Sequence, residues 1–552
     1  MPGCTARSKC FHPQGDETAD RPSDSPRLRR RAFLGALGGG ALSLIVPGWA
    51  RTGYPVPFST GPAPARAGAV PFRSRLPIPR VLDGAQIEIP IREAEVPILP
   101  GPRTRMWTYD GSFPGPTIRR RAGHRTEATF HHRLPPEVGE LTVHFHGGHN
   151  RTQFDGQPGG LTKSHPESFF CQIPQGLSLK ESGNDFLLYP GRSKTYVYDL
   201  DEDGGPERAA FRWYHDHRLD HTARNIWHGL AGMFIVDDEL DRSLPLPSGD
   251  RDIPLMIAER TFDRHNQLTD PFTDLRPPAD GITGHTVLVN GAYMPHHRVT
   301  PRRHRLRILN ASAFRAYNLH FSDGVPMIQI GTDSGLMPRP VARHSVLIGP
   351  AERVELIVDF SAAAGQSVEL RSGPRTDGRA VTGSKPYVGA LMQFRVDSGR
   401  ARDRTKVPHR LRPLPAWTKH VSRTPDHRWK IEIGGYFTPV WMINGRTFNP
   451  ARADAFPEIG STVTWEVANK TAVAHLIHVH HTDWYLLERN GKPPPPWEDC
   501  LKDTFFILPA ERILIAGHLS DYLGKFVIHC HMLDHEDHGL MSQFEVVKRR
   551  RS

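Results

Sequence analysis

A tripeptide near the end of the chain, His529-Cys530-His531, combines residue types that bind copper. In an extended strand side chains alternate between faces, so Cys530 points one way while His529 and His531 point the other. A thiolate with imidazoles is the ligand set of a blue-copper centre, and imidazoles alone suit copper ions that react with oxygen. The spacing predicts two metal sites on opposite faces of one strand, joined by a short covalent path for electrons.

Histidines also occur in four His-x-His pairs. These are His144/His146, His215/His217, His478/His480 and His529/His531. A strand period of two places both members of a pair on one face, as a shared metal requires. One such pair is weak evidence, but two pairs in each terminal part of the chain form a specific pattern. We therefore expect eight imidazoles to meet between the two ends of the chain.

The partners of Cys530 follow from the same alternation. His475 precedes His478 by three residues, so it faces away from the His478/His480 pair if the segment is extended. His535 lies five residues after Cys530, past a predicted bend, and can return to the side of Cys530. His475, Cys530 and His535 thus form a His₂Cys set, in which the metal would deprotonate the thiol.

A threefold internal repeat must position these ligands. The turns at residues 109–116, 289–291 and 443–445 resemble one another, and a β-patterned strand follows each. These strands are predicted at residues 126–130, 305–309 and 462–467. The first and third copies continue into strands with paired histidines, whereas residues 317–321 of the middle copy lack them. With 50 Gly and 51 Pro in the chain, short strands and turns are favoured, and three consecutive β-sandwich domains are predicted.

The repeat suggests the domain boundaries. Residues 51–240 would form a first domain with half of the histidine site, and residues 401–552 a third domain with the cysteine site and the other half. Residues 241–400 would form a middle domain that acts as a spacer without ligands. Residues 1–50 are predicted to be a targeting segment rather than part of the fold.

The targeting prediction depends on Arg30-Arg31-Ala32-Phe33-Leu34, which resembles a twin-arginine export motif. An apolar run over residues 33–46 follows, and Gly48-Trp49-Ala50 is a plausible cleavage site. The run is too short to span a bilayer, so we expect no stable membrane insertion. The predicted partner is the twin-arginine export machinery, and the predicted destination is secreted, cell-envelope or periplasmic.

Composition and cysteine content exclude other classes. The hydrophobic and charged fractions, 38% and 23%, are those of a globular protein. The net charge of +11 is spread along the chain without a basic tract interleaved with aromatics, which argues against nucleic-acid binding. Cys4 and Cys10 precede the predicted cleavage site, so only Cys171 and Cys500 are left to form a disulfide if Cys530 binds metal, and the sequence does not decide whether they do.

Taken together, these motifs resemble the three-domain multicopper oxidases. The likeness is strongest to the group of bacterial spore-coat laccase, bilirubin oxidase and phenoxazinone synthase, and runs from about residue 103 to residue 547. Its motifs include His144-Phe145-His146-Gly147-Gly148, Trp213-Tyr214-His215-Asp216-His217 and Lys502-Asp503-Thr504. The resemblance implies an all-β fold of three cupredoxin-like Greek-key sandwiches and four copper ions per chain: one type 1, one type 2 and two type 3.

The resemblance also assigns the ligands by motif. Type 1 copper would bind His475, Cys530 and His535, and type 2 copper would bind His144 and His478. The type 3 pair would bind His146, His215, His217, His480, His529 and His531. Asp155 and Glu536 match the family's acids beside the trinuclear cluster, where they are thought to assist proton delivery to oxygen. Together with Cys530 they are the predicted catalytic residues.

Two positions depart from the family pattern. Leu476 replaces a proline between His475 and His478, which should cost loop rigidity rather than a ligand. Leu540 stands where close relatives place an axial methionine, and Met541 follows it. Either the type 1 copper lacks its axial sulfur, which raises its potential, or a local shift lets Met541 coordinate.

The predicted reaction joins oxidation of a small reductant to reduction of dioxygen to water. Phenols, aryl amines and dyes are the favoured reductants, because the eleven methionines are scattered rather than gathered in the Met-rich insert of cuprous oxidases. A cuprous or ferrous oxidase active in copper tolerance and a non-catalytic copper-binding or coat protein are the alternatives. A zinc hydrolase would need neither four histidine pairs nor the cysteine between two histidines, and a copper nitrite reductase lacks the full set of pairs. The sequence gives no oligomeric state.

Overall fold

Strands dominate the computed structural model, which describes residues 70–160, 186–273, 281–374, 387–434 and 440–549. Within these ranges there are three short α-helices, α1 (Thr222–His228), α2 (Glu239–Ser243) and α3 (Leu533–Asp537). Short 3₁₀ turns lie at Pro136–Val138, Thr152–Phe154, Gly249–Arg251, Pro271–Thr273, Ser322–Gly324, Ser361–Ala363 and Ala416–His420. None of the described helices is long and apolar enough to cross a bilayer.

The first sandwich packs a five-stranded sheet on a four-stranded sheet. Its strands and one small ribbon are β1 (Val81–Leu82), β2 (Gln86–Val96), β3 (Thr104–Tyr109), β4 (Gly115–Arg121), β5 (Thr126–His132), β6 (Val143–His146), β7 (Ser193–Tyr198), β8 (Asp201–Glu202), β9 (Gly205–Pro206), β10 (Ala210–Asp216) and β11 (Ala231–Asp237). The sheet orders are β1-β4-β11-β10-β6 and β3-β2-β5-β7, while β8 and β9 pair separately. Strand β5 alternates buried and half-buried residues, as a strand with one face on the core does.

The second sandwich has sheets of seven and five strands. They are β12 (Asp252–Arg260), β13 (Thr286–Val289), β14 (Ala292–Tyr293), β15 (His296–Val299), β16 (Arg303–Asn310), β17 (Tyr317–Phe321), β18 (Met327–Thr332), β19 (Gly335–Arg343), β20 (Val346–Ile348), β21 (Arg353–Asp359), β22 (Ser367–Ser372) and β23 (Gly389–Val396). The orders are β14-β13-β12-β16-β21-β18-β19 and β15-β23-β22-β17-β20.

The third sandwich has sheets of six and four strands. They are β24 (His427–Gly434), β25 (Val440–Ile443), β26 (Thr462–Asn469), β27 (His475–Val479), β28 (Trp484–Arg489), β29 (Leu501–Lys502), β30 (Thr504–Ile507), β31 (Arg512–His518), β32 (Gly524–Cys530) and β33 (Met541–Val546). The orders are β25-β24-β26-β31-β28-β29 and β30-β27-β32-β33. The predicted all-β fold of three cupredoxin-like sandwiches is confirmed.

Each sandwich has its own hydrophobic core, and a further cluster contains residues of all three. That cluster includes Phe113 and Phe211 of the first sandwich, Met256 and Leu309 of the second, and Leu533 of α3. The strands of the three sandwiches lie within residues 81–237, 252–396 and 427–546. The predicted boundaries near residues 240 and 400 stay a prediction, and the predicted targeting segment at residues 1–50 lies outside the described residues.

Candidate metal centres

The strands that carry the histidine pairs are buried along their whole length rather than alternately. Strands β6, β10 and β27 contain no exposed residue, because one face covers a core and the other carries clustered imidazoles. The register between neighbouring strands determines which histidines lie side by side. His144 lies opposite His215 in the pairing of β6 with β10. In the same way His478 lies opposite His529 in the pairing of β27 with β32. Paired residues share a face, so each register brings together imidazoles from two sequence motifs.

Cys530 forms the first ligand group with two histidines. Its Sγ lies 3.5 Å from His475 Nδ1 and 3.7 Å from His535 Nδ1, and the two nitrogens are 3.2 Å apart. His475 begins β27 and Cys530 ends β32, while α3 turns the chain so that His535 returns to the cysteine side. A triangle of this size has its centre about 2 Å from each atom, a metal–ligand bond length.

The electrostatics of this group suit a metal ion. All three side chains are buried, and burial raises the pKa of the Cys530 thiol and lowers the pKa of His475 to about 3. Thr471 Oγ1 lies 2.9 Å from His475 Nε2, which leaves Nδ1 directed at the centre. The imidazoles are therefore neutral ligands, and a bound cation would displace the thiol proton.

Leu540, which stands at the sequence position of the expected axial ligand, lies next to the Cys530 backbone. Leu540 is fully buried in the same core cluster as Cys530, and its carbonyl accepts a hydrogen bond of 3.0 Å from the Cys530 amide. Met541 instead pairs in register with His529 and packs on Leu219 and Val527. Because His529 and Cys530 face opposite sides, Met541 lies on the wrong face to reach the thiol. This register and packing favour a site without an axial sulfur over the alternative in which Met541 coordinates.

The second ligand group contains all eight paired histidines. Its members are His144, His146, His215 and His217 of the first sandwich and His478, His480, His529 and His531 of the third. Each is at most 2% exposed. The second members of three pairs, His217, His480 and His531, lie just beyond the ends of their strands. Their rings nevertheless contact rings of the other pairs.

The contacts among the eight include those of three smaller sets, although donor atoms of His144, His478 and His480 and of His144, His146 and His215 also lie within 4.8 Å of one another. The Nε2 atoms of His217 and His480 lie 3.2 and 3.3 Å from Nε2 of His529. The rings of His146, His215 and His531 are 5.0–5.7 Å apart between centroids. His144 and His478 have ring centroids 5.7 Å apart. Two groups of three and one pair are what a binuclear site beside a mononuclear site requires.

The nitrogens that point inward are free to coordinate. Nε2 of His144, His215 and His478 and Nδ1 of His146 are buried and make no hydrogen bond. On the opposite side of three of these rings, backbone carbonyls accept from Nδ1: Asp155 for His144, Asp216 for His215 and Asp503 for His478. A buried ring nitrogen without a partner is costly, and a metal ion relieves that cost. The donor set fits copper, which prefers imidazole and thiolate.

Two buried acids flank the eight imidazoles. Asp155 Oδ2 lies 2.7 Å from His480 Nδ1, and burial raises the pKa of this carboxyl well above its usual value. The Glu536 carboxylate lies 3.0 Å from His529 Nδ1 and 3.3 Å from His217 Nδ1. Burial alone would raise the pKa of Glu536, but these imidazoles lower it to about 2. The environments thus favour a protonated Asp155 and an ionised Glu536.

Sequence reasoning gave no role to two residues next to the imidazoles. In the sequence Asp503 stands out only as part of the motif Lys502-Asp503-Thr504. In the structure its Oδ1 lies 3.3 Å from His146 Nε2. Arg353, in the middle sandwich, binds both oxygens of Asp503. No local pattern marks Arg353, which lies 150 residues from Asp503. Cys171, the residue with which Cys500 could pair, lies outside the described residues.

Comparisons with known proteins agree with this geometry. Family models described as multicopper oxidase match residues 90–167 and 416–550. The chain is 32% identical to a laccase of Bacillus subtilis (strain 168), over 81% of this chain and 91% of that one. It is 30% identical to a bilirubin oxidase of Albifimbria verrucaria, over 79% of this chain and 72% of that one. The crystal structure of a laccase from Pediococcus acidilactici Pa5930 superposes with a TM-score of 0.72 at 28% identity, covering 87% of this chain and 95% of that one.

Proposed function

The chain belongs to the multicopper oxidase family, and on this premise we propose that it is a laccase-like enzyme. Its substrates are phenols, aryl amines or related organic molecules, which lose one electron at a time. Dioxygen is the acceptor and becomes two molecules of water after receiving four electrons. The observation that carries this proposal is the strand end at Cys530, where a thiol in one ligand group adjoins imidazoles in the other.

Four copper ions per chain are proposed. The type 1 ion binds His475, Cys530 and His535, and the type 2 ion binds His144 and His478. The type 3 pair binds His217, His480 and His529 on one side, whose donor atoms lie within 4.8 Å of one another. On the other side it binds His146, His215 and His531, whose rings are in contact. Copper supplies one-electron acceptance at the first site and binding and reduction of dioxygen at the others. The inward-facing donor atoms without hydrogen bonds support this assignment.

The protein itself contributes a short link and two proton-handling groups. One peptide unit separates Cys530 from His529 on one side and from His531 on the other, so the two ligand groups share a covalent connection. Asp155, with its pKa raised, keeps a proton beside His480 and has an unpartnered Oδ1 from which to donate it. Ionised Glu536 accepts protons beside His529. Such positioned acids and bases typically contribute about 10²–10⁴-fold to a rate.

An aromatic side chain covers the cysteine group and favours organic reductants. The Trp441 ring centroid lies 4.4 Å from that of His535 and 5.1 Å from that of His475, and the residue is only half-buried. An accessible indole offers a flat apolar surface on which a phenol or aryl amine stacks. It offers no oxygen or thioether ligand to a metal ion.

The test is oxygen uptake with four reductants: a phenol, bilirubin, Cu(I) and Fe(II). We expect the purified, copper-loaded protein to consume oxygen fastest with an organic reductant. Trp441→Ala should lower kcat/KM for the phenol about tenfold, the effect of losing ~1.4 kcal/mol of contact, and should leave the Fe(II) rate unchanged.

Other outcomes identify the other candidate functions. Faster turnover of Cu(I) or Fe(II) than of every organic reductant would make the protein a metal oxidase active in copper tolerance. Copper binding without oxygen uptake would make it a passive copper-binding or coat protein. A protein without a strong orange-red absorption band lacks the proposed type 1 site.

Replacing Leu540 with methionine is expected to lower the type 1 potential. A thioether in the axial position stabilises Cu(II) relative to Cu(I), whereas the native leucine donates nothing. We expect a fall on the order of 60 mV, a tenfold change in the one-electron equilibrium. Redox titration of the blue band measures it, and an unchanged or higher potential would contradict the axial role of Leu540.

Met541→Leu is the matched control for that titration. Met541 packs on the opposite face of the strand, with Leu219 and Val527. Its loss should leave the type 1 potential unchanged, because its sulfur does not reach the cysteine site.

Export by the twin-arginine machinery is proposed for this chain. The support is the motif at Arg30-Arg31 with the apolar run after it. This pathway carries folded cargo, which suits a protein that takes up its metal before export. The destination would be secreted, cell-envelope or periplasmic.

A further inference from the structure

The guanidinium of Arg353 contacts all three sandwiches. Arg353 begins β21 in the middle sandwich and is 1% exposed. Its Nε donates 3.0 Å to the carbonyl of Phe211 in the first sandwich, and its Nη2 donates 3.0 Å to the carbonyl of Asp333 in the second. Its two terminal nitrogens bind the two carboxylate oxygens of Asp503 in the third, with Nη1 at 2.8 Å from Oδ1. This is the bidentate arrangement that orients a carboxylate most firmly.

Asp503 in turn contacts one imidazole from each terminal sandwich. Its Oδ1 lies 3.3 Å from His146 Nε2, and its backbone carbonyl accepts a 2.9 Å hydrogen bond from His478 Nδ1. A ring nitrogen that donates to protein leaves the other nitrogen free as a ligand. Asp503 therefore selects Nδ1 of His146 and Nε2 of His478 as the atoms that face the centre. Both of these atoms are buried and without a hydrogen bond.

The turn after the first histidine pair leaves room for the ion pair. Gly147 has φ +80°, and a Cβ there would lie 2.4 Å from Asp503 Oδ2 and 2.7 Å from Arg353 Nη2. A side chain at this position would displace both partners. The glycine thus lets the Arg353–Asp503 pair pack directly against the backbone next to His146.

We propose that Arg353 is a positioning residue for the trinuclear copper site: it holds Asp503 so that His146 and His478 present the correct nitrogens. The inference rests on the ligand assignment of the proposed function. The middle sandwich supplies no member of the ligand groups found among the described residues, yet through Arg353 it orients ligands of both neighbours.

The ion pair also keeps Asp503 from becoming a ligand itself. Asp503, His146 and His478 each offer an atom within 4.8 Å of the others, close enough to hold an ion together. With both carboxylate oxygens bound by Arg353, the side chain cannot turn inward. Without the guanidinium, a free carboxylate would compete for the metal and change its coordination.

The test removes both charges at once, so that no lone charge is left buried. The variant Arg353→Met/Asp503→Asn keeps the approximate side-chain sizes. We expect the affinity of the trinuclear site for copper to fall about 10–100-fold, the usual effect of losing the residues that orient metal ligands. The type 2 hyperfine splitting in electron paramagnetic resonance should change as well. The blue type 1 band should keep its full intensity in the same molecules.

One single variant and a matched pair complete the design. Arg353→Lys retains the charge but not the bidentate contact, so its copper affinity should lie between those of the native protein and the double variant. Arg307→Met/Asp252→Asn removes a buried ion pair of the same kind, with Nε 2.7 Å from Oδ1, in the same sandwich. Its unfolding midpoint should fall while its trinuclear copper affinity stays native.

Two results would overturn the proposal. One is a double variant whose trinuclear copper affinity and type 2 spectrum match those of the native protein. The other is a parallel loss of type 1 and trinuclear copper, since that would show general unfolding rather than a local effect. A native protein that bound no copper at the eight histidines would instead contradict the proposed function, which distinguishes the two failures.

Discussion

Cys530→Ser is expected to remove the blue colour and to lower reductant oxidation by at least about 1,000-fold, equivalent to ~4 kcal/mol of barrier. A serine hydroxyl has nearly the size of the thiol but does not become an anionic sulfur ligand, so the electron-accepting site is lost. The substitution also breaks the sulfur link between the two ligand groups. Absorption spectroscopy and steady-state oxygen uptake measure the two effects.

The fold and the trinuclear site should survive this substitution. The side chain is fully buried, and even a hydroxyl that found no hydrogen bond there would cost only about 1–3 kcal/mol, which a three-sandwich protein tolerates. Metal analysis should therefore give three copper ions per chain instead of four. Cys500→Ser is the matched control, because Cys500 is another buried cysteine of the third sandwich. It should stay blue and active, and a blue, active Cys530→Ser would refute the ligand assignment.

The alternation of side chains in strands accounts for most of what the sequence predicted at the site. A period of two placed His478 and His529 on one face and His475 and Cys530 on the other, and the register of β27 with β32 does the same. The alternation follows from the backbone geometry of a single strand, so it can be applied to a sequence segment without knowing the rest of the fold. The bend before His535 was also predictable, because a strand alone cannot return a residue five positions later to the same site.

The contacts of the middle sandwich with the site, and the finer grouping of the eight imidazoles, were beyond sequence reasoning. Arg353 and Asp503 meet through the packing of two sandwiches. No motif around either residue indicates that it contacts the other. The three-way division of the eight imidazoles likewise depends on how the terminal sandwiches are placed. The middle sandwich, predicted to be a spacer, has a role at the site that only its packing reveals. The side of the sheet on which Met541 lies could be assigned only from the register of β33 with β32, which the sequence left open.

Glu536→Gln is expected to slow oxygen reduction about 10²–10³-fold, within the usual contribution of a positioned acid or base. The native carboxylate is ionised, because neighbouring imidazoles lower its pKa to about 2. It is therefore unprotonated near neutrality and can act as a hydrogen-bond acceptor and transient proton acceptor beside His529. Glutamine keeps the shape and can accept one hydrogen bond, but it cannot carry a proton.

The slowed step should be separable from electron uptake. Anaerobic mixing with a phenol should bleach the blue band of Glu536→Gln at the native rate, because Glu536 contacts His529 and His217, which belong to the other ligand group. Re-oxidation by dioxygen should then be slow. Asp537→Asn is the matched control: Asp537 is the next buried carboxylate, but it accepts hydrogen bonds from the backbone amides of Thr222 and Ala223. Turnover of Glu536→Gln within about twofold of native, well short of the acid–base range, would show that protons reach oxygen without this carboxylate.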